Sequence, residues 1–367
     1  MSSYTFEEFK ANVVEEIKDF LPEKYADASV TIQDVTKNND RQLSGLTIRT
    51  EDNNIAPTIY LEGFFQKYEE GADMGDILQE IADARVSHEI EQGFDTGRIT
   101  DLDAVREHIT CKLLNADMNK DYLSNKPHRL VEDFAVAYYV DLGGDATGHM
   151  SAPITDHLLD GYGIDIPELD KIAMENLANS DIEFKTMRDV LVEMMFPDGP
   201  DENDPRMAML PPEEETPSMY VLTNADKMNG ANSILDAKTM EDISEKIGGD
   251  FYILPSSLHE VIILPDTPEM DKDYLEHMVQ DINAGQVAPE DKLSDHVYMY
   301  DSVEKEIVLA DKMPERVAAR ENAHEDRKPE RERVSMKEKL PEKKAEASKN
   351  AQMRDPVIPT KTQDQSL

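Results

Sequence analysis

The sequence predicts an α+β protein built of two α/β-sandwich-like domains and a charged tail, and three observations carry that expectation. Short runs that alternate apolar and polar residues, as half-buried strands do, are interleaved with apolar stripes at helical period. Residues 197–217 hold six prolines and seven acidic residues in 21 positions and follow neither period. From Lys312 to the end there are 14 basic and 11 acidic residues, net +3, against net −43 over positions 1–311. The expected division is an N-terminal domain at 1–196, an acidic Pro-rich linker at 197–217, a C-terminal domain at 218–311 and a flexible tail at 312–367.

In the N-terminal half, Thr5-x-x-Glu8 fits a capping box, and Phe6, Phe9, Val13, Ile17 and Phe20 follow at helical spacing until Pro22. Val30 and Ile32, a turn at Asn38-Asn39-Asp40, then Leu46 and Ile48 predict a hairpin, extended by a strand at 58–61. Met74, Ile77, Leu78, Ile81 and His88 share one helical stripe that ends at Gly93. A short helix from Asp101 to His108 precedes a strand carrying Ile109, Cys111 and Leu113. Phe134, Val136, Tyr138 and Val140 form the clearest strand, broken by Gly143-Gly144. Helices are expected at Leu169 to Leu177 and after Thr186-x-x-Asp189, the second with an apolar face of Met187, Val190, Leu191 and Met194.

The C-terminal half alternates element types: strand 219–223, helix 239–247, strand 251–254, strand 261–264, helix 268–282, strand 297–300 and strand 307–309. That β-α-β-β-α-β(-β) order is compatible with a ferredoxin-like sandwich.

Composition excludes several functional classes. One cysteine and no tryptophan leave no disulfide framework and no zinc ribbon. No uncharged apolar run approaches the roughly 18 residues of a membrane span. Met1-Ser-Ser-Tyr4 runs straight into acidic residues without a basic and apolar leader, so a cytoplasmic location is expected. A formal charge of −40 repels phosphate backbones and anionic membranes, so neither direct nucleic-acid binding nor membrane contact is expected.

Three segments, Ile55-Ala-Pro-Thr-Ile-Tyr-Leu-Glu-Gly-Phe-Phe65, Leu254-Pro-Ser-Ser-Leu-His-Glu-Val-Ile-Ile-Leu-Pro265 and His296-Val-Tyr-Met-Tyr300, resemble the bacterial family of domain of unknown function 5688. The resemblance covers roughly positions 1–311, most of the chain by the usual size of a domain. It implies a cytoplasmic accessory protein of Firmicutes, of the kind met among genes of integrative conjugative elements, and it brings no catalytic residues with it.

Two clusters hold the candidate site residues. Pro255-Ser256-Ser257-Leu258-His259-Glu260 places serine, histidine and carboxylate in one segment, which is the residue set of a hydrolase. Yet the segment bridges two antiparallel strands and lacks a Gly-flanked nucleophile elbow, so turn and cap roles for Ser256, Ser257, His259 and Glu260 are the simpler expectation. Asp141, Asp145, His149, Asp156 and His157 crowd the glycine-rich stretch after the clearest strand and have the right donor atoms for manganese, iron or zinc. Their spacing fits no metal or nucleotide signature, so a solvated loop is expected, with no metal and no cofactor. His88 reads as a partly buried core histidine and Cys111 as a buried, inert thiol. The 19 methionines, Met187, Met194, Met240 and Met278 among them, read as core filling.

The function expected from these features is a non-catalytic accessory or adaptor protein that binds another protein. An acidic DNA mimic is the principal alternative, because carboxylates at phosphate-like spacing can occupy a DNA-binding protein, although here the acids are interleaved with lysines. A hydrolase built on Ser256, Ser257 and His259 ranks third.

Overall fold

A computed structural model describes residues 4–89, 97–145, 148–200, 204–211, 219–255 and 257–327. The chain divides into two units, Met1–Ala310 and Asp311–Leu367. The first is α+β, with three antiparallel sheets among the described residues.

The first sheet, ordered β1-β2-β3, joins β1 (Ser29–Thr36), β2 (Gln42–Arg49) and β3 (Thr58–Tyr60). Helices α1 (Phe6–Glu16), α2 (Glu62–Glu69) and α3 (Met74–Ser87) accompany it. The Thr5 to Glu8 capping box forms as expected and fixes the start of α1. Phe9, Val13 and Ile17 meet Leu46, Ile48, Ile77, Leu78 and Ile81 in a core of their own. Each such side chain, fully buried, contributes about 1.5–3 kcal/mol. The stripe on α3 ends on buried Arg85. His88 is an exposed C-cap residue whose Nδ1 lies 2.9 Å from the Ala84 carbonyl, so the expected core histidine is corrected. Seven residues beyond Leu78, Arg85 holds the stripe position one helical step before the cap.

The second sheet is centred on β6 (Phe134–Asp145), with β4 (Ile109–Asn115) along one side and β5 (His128–Val131) then β7 (Gly148–Pro153) along the other. Gly143 and Gly144 do not end the strand; they pair with Met150 and His149, so the expected solvated loop is a hairpin. The irregularity falls between Asp141 and Gly143, where Gly143 has φ +78° and its N–H donates to Asp141 Oδ1 at 2.7 Å. Helices α4 (Gly97–Thr100), α5 (Leu102–Val105), α6 (Lys120–Leu123), α7 (Asp156–Tyr162) and α8 (Ile166–Leu177) belong to this region.

The third sheet contains β8 (Ile182–Thr186), β9 (Tyr220–Asn224), β10 (Phe251–Leu254), β11 (Val261–Pro265), β12 (Tyr298–Asp301) and β13 (Glu306–Leu309). Helix α9 (Met187–Met195) follows β8, α10 (Ala237–Ile247) leads into β10, and α11 (Lys272–Gly285) links β11 to β12. The order is β13-β12-β10-β11-β9-β8. One split unit, β11 between β9 and β10, follows the expected order. However, β12 lies beside β10, and β8 occupies the place beside β9 that a ferredoxin-like sheet gives to its fourth strand. The ferredoxin-like order is therefore not what the chain adopts.

Strand β8 also changes the meaning of 197–217. It pairs with β9 from Ile182 opposite Asn224 to Thr186 opposite Tyr220, so the Pro-rich stretch connects two neighbouring strands of one sheet. Its described residues are partly packed: Leu210 is buried, Arg206 Nη1 donates to the Met195 carbonyl at 2.9 Å, and the Arg206 guanidinium lies 4.6 Å from the Phe196 ring centre. A single apolar core runs from Val105 to Tyr300 through the second and third sheets. Phe134 stacks on Tyr298 at 4.3 Å between ring centres, and the Tyr298 hydroxyl donates to Asp133. Burial first, then the Asp133 carboxylate, drives the Tyr298 hydroxyl far above its usual pKa, so it stays a donor.

In the second unit the described element is helix α12 (Met313–Arg327). The run Arg316-Val-Ala-Ala-Arg-Glu321 within it is composed mainly of strong helix formers. The stretch from 328 onward, including most of the expected docking segment, lies outside the described residues.

Candidate functional site

The segment joining β10 to β11 is held by polar contacts on every described side. Ser257 Oγ accepts the His259 backbone N–H at 3.0 Å, and the Ser257 N–H reaches the Glu260 carbonyl at 3.4 Å. The His259 carbonyl accepts the Thr223 hydroxyl at 2.7 Å. His259 Nδ1 accepts the Asn229 backbone N–H at 3.1 Å, which puts the ring proton on Nε2, 3.5 Å from Asp291 Oδ1. Both ring nitrogens are thus engaged away from Ser257, and no lone pair is left to take a serine proton. Glu260 is half-buried, and Ser256 lies outside the described residues.

The opposite anchor is a turn after β9. Asn224 closes on Met228, accepting its N–H at 3.1 Å and donating to its carbonyl at 2.9 Å. Asn229 takes φ 55°, and Gly230 packs so closely that a Cβ would stand 2.3 Å from Thr223 Oγ1, 2.6 Å from the His259 carbonyl and 2.7 Å from the Asn224 nitrogen. Only glycine fits there. From this turn Asn232 reaches the second sheet, donating to the Cys111 carbonyl at 2.8 Å.

Between the turn and the outer edge of β4 lies a cavity of about 240 Å³, lined by Cys111, Lys112, Asp141, Ser151, Asn229 and Asn232 among others. Lys112 is half-buried, donates to Ser151 Oγ at 3.1 Å and sits 4.3 Å above the Tyr139 ring. Burial lowers its pKa, Lys37 pushes the same way and Asp141 opposes both. Burial also pushes the Cys111 thiol up to about 12, as expected of an inert cysteine.

The carboxylate and imidazole cluster does not assemble as written. Asp141 is half-buried at the bulge, while Asp156 and His157 are exposed on the first turn of α7. The side chains of Asp145 and His149 lie outside the described residues. Among the described residues no three His, Cys, Asp or Glu side chains converge on a metal-sized site, and no helix is long and apolar enough to cross a membrane.

Sequence reasoning missed Lys112, Asn232, Asp291 and the hairpin tip. Asn229-Gly230 was the visible signal, since an Asn-Gly pair after a strand marks a left-handed turn. Lys112 stands on the polar parity of an otherwise apolar strand, which ordinarily means solvent.

No curated protein and no solved structure matches the chain. A family described as "Family of unknown function (DUF5688)" matches residues 6–302, about four fifths of the sequence, and the chain belongs to that family.

Proposed function

We propose that the chain is a non-catalytic binding protein of the cytoplasm, an accessory or adaptor of a mobile genetic element, which captures another protein through the corner formed by β8 and α9. The observation that supports this is an amphipathic helix with no buried residue. Met187, Val190, Leu191, Val192 and Met195 are only half-buried, and Met194 is 71 % exposed. Met209, 77 % exposed, follows on the turn that Arg206 ties to the end of α9. Among the described residues strand β8 is the last of its sheet, so it offers an edge for strand addition beside this apolar surface. Met194 is therefore read as contact surface where core filling was expected. The mobile-element setting rests on the family resemblance alone.

A photo-crosslinker at Met194, used in the native host, should capture one defined protein that a crosslinker at Tyr274 does not. The purified pair should then bind at least about tenfold more weakly with M194D/M209D, a loss of about 1.4 kcal/mol. Equal capture at both positions, or equal affinity of variant and wild type, would remove the reading.

A further inference from the structure

We propose that the cavity beside Lys112 binds a small monocarboxylate that also carries a hydrogen-bond donor, as a free amino acid does. Three observations converge. The cavity, at about 240 Å³, falls below the roughly 300–1,000 Å³ of sites for drug-sized molecules, so its occupant is small. The Lys112 ammonium has three donors: Ser151 takes one, the Tyr139 ring faces the group, and among the described residues no carboxylate oxygen lies within 4.0 Å. Asp141, in the same lining, acts on the ammonium without reaching it, so a donor stays open to a ligand carboxylate at hydrogen-bond distance.

The third observation is the charge of the remaining lining. Glu107, Asp141 and Asp226 also line the cavity, so a phosphate dianion meets three carboxylates against one lysine, whereas an ammonium group finds partners among them. The wall is preformed, because Gly230 locks the turn and the Asn229 N–H is bound to His259.

The test uses the full chain and saturation-transfer NMR with each of the common L-amino acids, with acetate and with inorganic phosphate. At least one amino acid should bind at concentrations up to about 10 mM, more tightly than acetate or phosphate, and K112M should weaken it about tenfold. If K112M does not fold, S151A, which removes the hydroxyl that orients the ammonium, should weaken the same ligand severalfold. The proposal is overturned if no amino acid binds, if acetate or phosphate binds as tightly, or if the folded variants bind like wild type.

Discussion

The two apolar cores of Met1–Ala310 are joined to their surroundings in opposite ways. Among the described residues, the core of α1, α3 and β1–β3 shares no buried apolar side chain with the larger one. It meets the rest through a polar hairpin tip, with Asn39 and Asp40 at φ 60° and 50°. Asp40 accepts the N–H groups of Asp121 and Tyr122 at 3.0 and 2.8 Å, Asn39 exchanges amide bonds with Asn119, and Asn38 donates to the Glu290 carbonyl at 2.6 Å. The second and third sheets instead share one continuous apolar core. The boundary between cores therefore falls before residue 97, well upstream of the Pro-rich stretch. Polar contacts position the first core, and apolar burial makes the other two sheets one object.

That contrast can be broken most forcefully at Phe134. Truncation to alanine should cost about 3–5 kcal/mol. Because Phe134 packs on Tyr298, urea unfolding followed by site-specific probes should show the second and third sheets losing stability together and by equal amounts. Loss confined to one sheet would separate them.

The hairpin tip should respond more gently. D40A removes the acceptor of two backbone N–H groups and should cost about 0.5–2 kcal/mol, as loss of a cap does. Calorimetry should then show the first core melting ahead of the rest. Unchanged, single-transition melting would mean that the tip contributes nothing to the coupling.

The smallest effect sharpens the comparison through pH. The Lys24 ammonium, then Tyr25, hold the Glu89 carboxyl below its ordinary value of 4.5. A depressed carboxyl stabilises the fold above the unfolded value, so the first core should weaken as pH falls below 4.5 through the folded value. E89Q should flatten that slope for the first core and leave the larger core's slope alone; a parallel change in both would contradict separate cores.

Much of this was legible in the residues. Both capping boxes, at Thr5 and Thr186, and the alternation of Phe134 to Val140 read directly into α1, α9 and β6 because those signals are local. Strand β8 was not: only Ile182 and Phe184 alternate with Glu183 and Lys185, too short a run to stand out, and its identity depends on pairing with β9. Without β8, the prolines of 197–217 read as a domain boundary. At the site, the turn character of Ser257 and the burial of Cys111 followed from local pattern, whereas the approach of Asn232 to β4 is a contact across 121 positions that no local period encodes.

Native-state hydrogen exchange, resolved by strand, addresses the joint core most directly. The slowest amides of β4 and β6 and those of β9 to β12 should open together, with one common free energy, while those of β1 and β2 open separately. Two classes divided at the Pro-rich stretch, with β4 to β7 on one side and β9 to β13 on the other, would contradict a core shared by the second and third sheets.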